Sequence, residues 1–78
     1  MGGGRLPAVN GKQVIRALGR VGFVVNRTSG SHHMLAHISD PARMVIVPMH
    51  GNHDIKAGTL RSILKQAGLT VEQFKELL

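Results

Sequence analysis

The chain has 78 residues, a formal net charge of +6 and no cysteine. That length is one small domain, which buries only about 60% of the surface its unfolded chain exposes, and the missing cysteine excludes a disulfide framework and a thiolate metal site. No stretch reaches the roughly 18 consecutive apolar residues of a membrane span, and MGGGRLPAV lacks the apolar run of a signal peptide, so a cytoplasmic protein with no membrane partner is expected.

Residues 1–9 are glycine-rich and read as a flexible tail, in which Leu6, Pro7 and Val9 are placed to pack where it meets the fold. A single domain over residues 10–78 follows. Asn10 reads as an N-cap with Gln13 at the reciprocal capping-box position, opening a helix from Gly11 to about Arg20. Val14, Ile15, Leu18 and Val21 form its apolar side, and Lys12, Arg16 and Arg20 recur on another. Gly22 closes this helix and FVVNRT begins a strand. Ser29 and Gly30 supply turn chemistry, so SHHMLAHI is a second strand, with His32, Met34, Ala36 and Ile38 on one face and His33, Leu35 and His37 on the other. SDPAR reads as a turn and MVIVP as a third strand, ended by Pro48. Leu60, Ile63, Leu64 and Ala67 then mark a helix from Lys56 to Ala67, stopped by Gly68. A last short helix opens at a second capping box, Thr70 with Gln73, and carries Val71, Phe74, Leu77 and Leu78 on its apolar side.

This order predicts an α+β fold in which helices cover one face of a three-stranded antiparallel sheet, the layout of double-stranded-RNA-binding domains. Ten Lys and Arg against four Asp and Glu favour a polyanionic partner. Their distribution fits RNA: Lys12, Arg16 and Arg20 stripe the first helix, and Lys56, Arg61 and Lys65 surround the second. With no Trp or Tyr and two Phe, base stacking is not the expected mode, and contacts to phosphate and 2′-hydroxyl are.

GSHH on the second strand, VIVPMH on the third and KAGTLRSILKQAGL from Lys56 to Leu69 closely resemble the HicA, or YcfA-like, toxins of bacterial toxin-antitoxin systems. The resemblance spans roughly residues 6–74, and the third motif is the most specific. It implies a double-stranded-RNA-binding-like fold and an mRNA interferase activity inhibited by a HicB-type antitoxin. The histidine after the Gly-Ser pair, His32, is implied to be catalytic, and a histidine commonly follows the Val-Pro of the third strand in that family, matching His50; its place just past the strand suits either assistance, by giving a proton to the leaving 5′-oxygen, or phosphate binding. Ala57 stands where the family often has proline, and either residue suits a first helical turn.

The residues themselves are compatible with a ribonuclease. RNA carries its own nucleophile in the 2′-hydroxyl, and an imidazole, titrating near about 6.5, suits the proton transfers at neutral pH. Asp40, Asp54, Glu72 and Glu76 are scattered rather than convergent, and no paired Cys or helical His module accompanies the histidines, so no metal and no small-molecule cofactor are expected. Gly30 and Ser31 fit both a hairpin turn and a close approach of the RNA backbone to His32. His33 is expected to pack on the sheet, His37 to be solvated and His53 to be a loop residue. A non-catalytic RNA-binding module of the same fold is the alternative, since charge and architecture would be shared.

Overall fold

A computed structural model describes residues 5–78. Its elements follow the expected order: α1 (Gly11–Gly19), β1 (Phe23–Ser29), β2 (His32–His37), β3 (Asp40–Pro48), α2 (Ala57–Ala67) and α3 (Val71–Leu77). The fold is α+β, with strands in the order β1-β2-β3, all antiparallel.

Both predicted capping boxes form. The Asn10 side chain accepts from the Gln13 N–H and Gln13 returns a bond to the Asn10 N–H, each 2.9 Å, and Thr70 and Gln73 repeat the arrangement at α3. Each box satisfies donors that a helix start otherwise leaves orphaned. Between α1 and β1 the chain reverses at Gly22, whose φ of 100° suits glycine. A Cβ there would also lie 2.7 Å from His37 Nε2, so the residue is doubly constrained.

The helices cover one face of the sheet. Phe23, Leu35, Val45 and Val47 from that face meet Val14, Ala17 and Leu18 of α1, Leu60, Ile63, Leu64 and Ala67 of α2, and Phe74 of α3 in one buried cluster. The strand alternation is as expected: His33, Leu35 and His37 face the helices, and His32, Met34 and Ala36 face away. Val9 also belongs to the core and accepts a 2.8 Å bond from the Ile55 N–H, while Leu6 packs against the cluster. The packed part of the chain therefore starts before Asn10, because two apolar side chains in the tail find buried partners; residues 1–4 of the expected tail lie outside the described residues.

Two features depart from the sequence reading. SDPAR is not simply a turn: only Ile38 and Ser39 link β2 to β3, and the ladder resumes at Asp40 opposite His37. Three extra residues then separate that pair from Ala36 opposite Met44, a bulge in which Pro41 needs no ladder N–H. This bulge carries Arg43 to the far end of α2, where it donates a 2.6 Å bond to the Ala67 carbonyl and lies 5.8 Å from the Phe23 ring centroid. A cation at a helix C-terminus complements the unsatisfied carbonyls there.

The second departure is His37, which is half-buried rather than solvated. Its Nε2 lies 2.7 Å from the Val21 carbonyl oxygen and its Nδ1 accepts from the Ser39 N–H. With Nδ1 an acceptor, the ring proton sits on Nε2 and donates to Val21. The ring meets Phe23 edge to face at 5.0 Å, so His37 clasps the α1–β1 turn to the β2–β3 turn.

Candidate active site

His32 opens β2 directly opposite Pro48, near the end of β3. The pairing continues past the strand, because the Met49 N–H donates to the Ser31 carbonyl at 2.6 Å. Met49 is half-buried and packs against the helix-side core, with its sulfur beside Gly11. His50 follows, two residues past the end of β3.

The loop beyond His50 is tied at both ends. The His53 N–H donates to the His50 carbonyl, closing a turn, and Gly51 supplies its positive φ of 61°. Asp54 bridges to Asn10, and Ile55 is bonded to Val9. His50 and His53 thus stand at the two corners of one turn. Together with His32 they line a cavity of about 820 Å³ that wraps the free edge of β3. Lys56, Thr59 and Ser62 line its α2 side, and Gln66 closes it by accepting from the Ile46 N–H. The α2 N-cap, Lys56, makes no side-chain bond to the helix, so the first-turn N–H groups direct their partial positive charge toward this end of the cavity.

Of the residues singled out in the sequence, His32, His50 and Lys56 meet at this cavity. His53, read as a plain loop residue, joins them, because a turn with a glycine at its second position folds it back beside His50. The spacing H-G-N-H was the one available signal.

Arg61 and Lys65 are exposed on α2 but stand about 120° around the helix from Thr59, Ser62 and Gln66. Arg16 and Arg20 line a separate cavity of about 110 Å³ with Leu77 and Leu78, and Arg20 donates a 2.6 Å bond to the Leu77 carbonyl. Lys12 is exposed near the start of α1. Gly30, with φ 59°, and Ser31 form the two-residue β1–β2 turn; a Cβ on Gly30 would meet open space, so the turn alone accounts for this glycine. His33 faces the helices, half-buried, and its Nδ1 is buried without a hydrogen-bond partner.

Among the described residues no three His, Cys, Asp or Glu side chains are grouped to hold a metal ion, and no helix is long and apolar enough to cross a membrane. What converges at the cavity is the imidazoles of His32, His50 and His53, the Lys56 ammonium, the Asp54 carboxylate, the Thr59 and Ser62 hydroxyls and the Gln66 amide, and the imidazoles among them are suited to moving protons.

No curated protein matches the chain. A family model described as "HicA toxin of bacterial toxin-antitoxin" matches residues 11–69, a span that contains His32, His50, His53, Lys56 and all of α2. That span is most of the chain, and the chain belongs to the HicA toxin family of bacterial toxin-antitoxin systems.

Proposed function

We propose that this toxin is an endoribonuclease that cleaves mRNA in the cytoplasm without a metal ion, and that a HicB-type antitoxin inhibits it. The observation that carries the reading is the cavity that His32 and His50 share, which Lys56 also lines. One imidazole takes the proton from the 2′-hydroxyl as that oxygen attacks the adjacent phosphorus. The other gives a proton to the departing 5′-oxygen as the P–O bond breaks. The products are a 2′,3′-cyclic phosphate and a 5′-hydroxyl, and no water or oxidant is consumed. His32 is the principal acid-base group and His50 assists.

Lys56 lies at the cavity and is suited to hold the scissile phosphate. Lys12, Arg16, Arg20, Arg61 and Lys65 are exposed on α1 and α2 outside the cavity and contribute charge along the RNA backbone, with Gly30 and Ser31 bordering His32 at the turn. The test is incubation of the purified protein with a long RNA in EDTA, followed by analysis of the fragment ends. Fragments bearing 2′,3′-cyclic phosphate and 5′-hydroxyl ends are expected. Intact RNA that is nevertheless bound would make the chain a binding module instead, and cleavage only on adding Mg²⁺ would remove the acid-base mechanism.

A further inference from the structure

The cavity at the free edge of β3 has two unlike ends. Apart from its histidines, its charged side chains, Asp54 and Lys56, both precede the first turn of α2. Beyond them Thr59, Ser62 and Gln66 follow at helical spacing as one uncharged, hydrogen-bonding stripe about 10 Å long. Ile46, 44% exposed, and Pro48 line the β3 side as an apolar wall.

Gln66 is held by a bond that fixes which of its ends is free. Its Oε1 accepts from the Ile46 N–H at 3.3 Å, and a backbone N–H can pair only with the amide oxygen. The NH2 group, two donors and no acceptor, is what remains for a ligand. The same bond closes the strand edge. The Ile46 N–H is taken and Pro48, two residues on, has none, so an added polypeptide strand finds no ladder there.

A volume of about 820 Å³ is that of a site for a drug-sized molecule, and a phosphate held at Lys56 fills a small part of it. The remaining walls fit a flat group with apolar faces and hydrogen-bonding edges, which is an unpaired nucleobase: its face lies on aliphatic side chains and its edge meets the stripe. With no Trp or Tyr in the chain to stack on a base, discrimination rests on that edge.

We propose that the α2 end of the cavity reads an unpaired base beside the scissile phosphate, and that Gln66 selects bases presenting a carbonyl, uracil or guanine, over those presenting an exocyclic amine, cytosine or adenine. The proposal rests on the reading of the cavity as the ribonuclease centre. Uracil O4 and guanine O6 accept from the Gln66 NH2 group, whereas cytosine N4 and adenine N6 set donor against donor. The Thr59 and Ser62 hydroxyls both donate and accept, so they add affinity without choosing.

The test compares bases of equal shape: uridine hexamers with cytidine hexamers, and adenosine hexamers with the same oligomers carrying inosine, which has the guanine carbonyl, at alternate positions. Affinities are measured by fluorescence anisotropy with the His32→Ala chain, so that the oligomers stay intact, and the ends of a long RNA cut by the wild-type chain are sequenced. His32→Ala should favour uridine over cytidine, and inosine over adenosine, by about 3- to 10-fold, the scale of one net hydrogen bond. Uracil or guanine should be enriched at one fixed position beside the cut. Adding Q66E keeps an acceptor for the Ile46 N–H but offers no donor, so the preference should reverse; the added charge weakens all oligomers alike and cancels in the ratio. Q66M, with neither donor nor charge, should lose the preference. Equal affinities within each pair overturn the proposal, as does a preference that survives in Q66E and Q66M with unchanged circular dichroism. Wild-type cleavage with no base preference refutes the pocket and leaves the ribonuclease standing. A carbonyl preference in binding that Q66E reverses, with RNA left uncut by the wild-type chain, refutes the catalytic reading and leaves the pocket.

Discussion

Gly11 is the first residue of α1, and replacing it by alanine sets two effects against each other. Alanine favours a helix over glycine by about 1 kcal/mol. Here, however, the added Cβ would lie 2.6 Å from the Pro48 carbonyl oxygen and 2.5 Å from Met49 Sδ. The thioether can swing aside, but the carbonyl belongs to backbone pinned by the β3 ladder and by the Met49 bond to Ser31. Overpacking of this kind costs about 1–3 kcal/mol, so the net change is a destabilisation of up to about 2 kcal/mol. In a domain this size each kcal/mol moves Tm by about 4–8 °C. Gly19, at the other end of the same helix, has nothing within 4 Å of an added Cβ, and Gly19→Ala should therefore raise Tm through the propensity term alone. Thermal unfolding followed by far-UV circular dichroism reads both signs. The Gly11 variant should also cleave RNA more slowly while still folded, because the residues it displaces lead directly into His50. A Gly11→Ala protein with Tm at or above wild type would refute the close seating of α1 on the end of β3.

Arg43→Met removes the bond to the Ala67 carbonyl but keeps an aliphatic stem, and should lower stability by about 1–2 kcal/mol in denaturant titration; no change would mean the α2 C-terminus needs no cation. His37→Ala loses two hydrogen bonds and the edge-to-face contact with Phe23, for an expected loss of about 1–3 kcal/mol and unaltered RNA affinity; wild-type stability would remove its clasping role. Lys56→Ala, Arg61→Ala and Lys65→Ala should each reduce the salt dependence of RNA binding by about one unit of slope, and only Lys56→Ala should also slow cleavage at saturating RNA. Equal slowing by all three would place the phosphate track around α2 instead of at the cavity.

Elements whose causes are local were readable in advance. Asn10 with Gln13 and Thr70 with Gln73 specify helix starts within four residues, and the alternation from His32 to His37 sorts the strand into two faces without reference to anything distant. The bulges were not readable, because a bulge depends on what the strand must reach: the three extra residues in β3 bring Arg43 to Ala67, which lies 24 positions away in the chain. The same limit hid His37, whose partners Val21 and Phe23 sit across a turn. At the candidate site, His32 and His50 were singled out in the sequence, yet the cavity they share also takes in Lys56, Thr59 and Ser62, which no local signal ties to them. His53 was missed because its position depends on the turn at Gly51. Arg61 and Lys65 were grouped with the site by charge, and helix geometry puts them on another flank.

The most direct test of the central claim is the cleavage rate of His32→Ala on an RNA of defined length, with RNA affinity measured on the same preparation. His32 is exposed at the start of β2, so alanine leaves the core and the cationic surfaces untouched. The account predicts a fall in rate of roughly 100-fold to 10,000-fold, the contribution of general acid-base catalysis, at unchanged affinity and unchanged circular dichroism. Cleavage at the wild-type rate by a folded His32→Ala protein would contradict it.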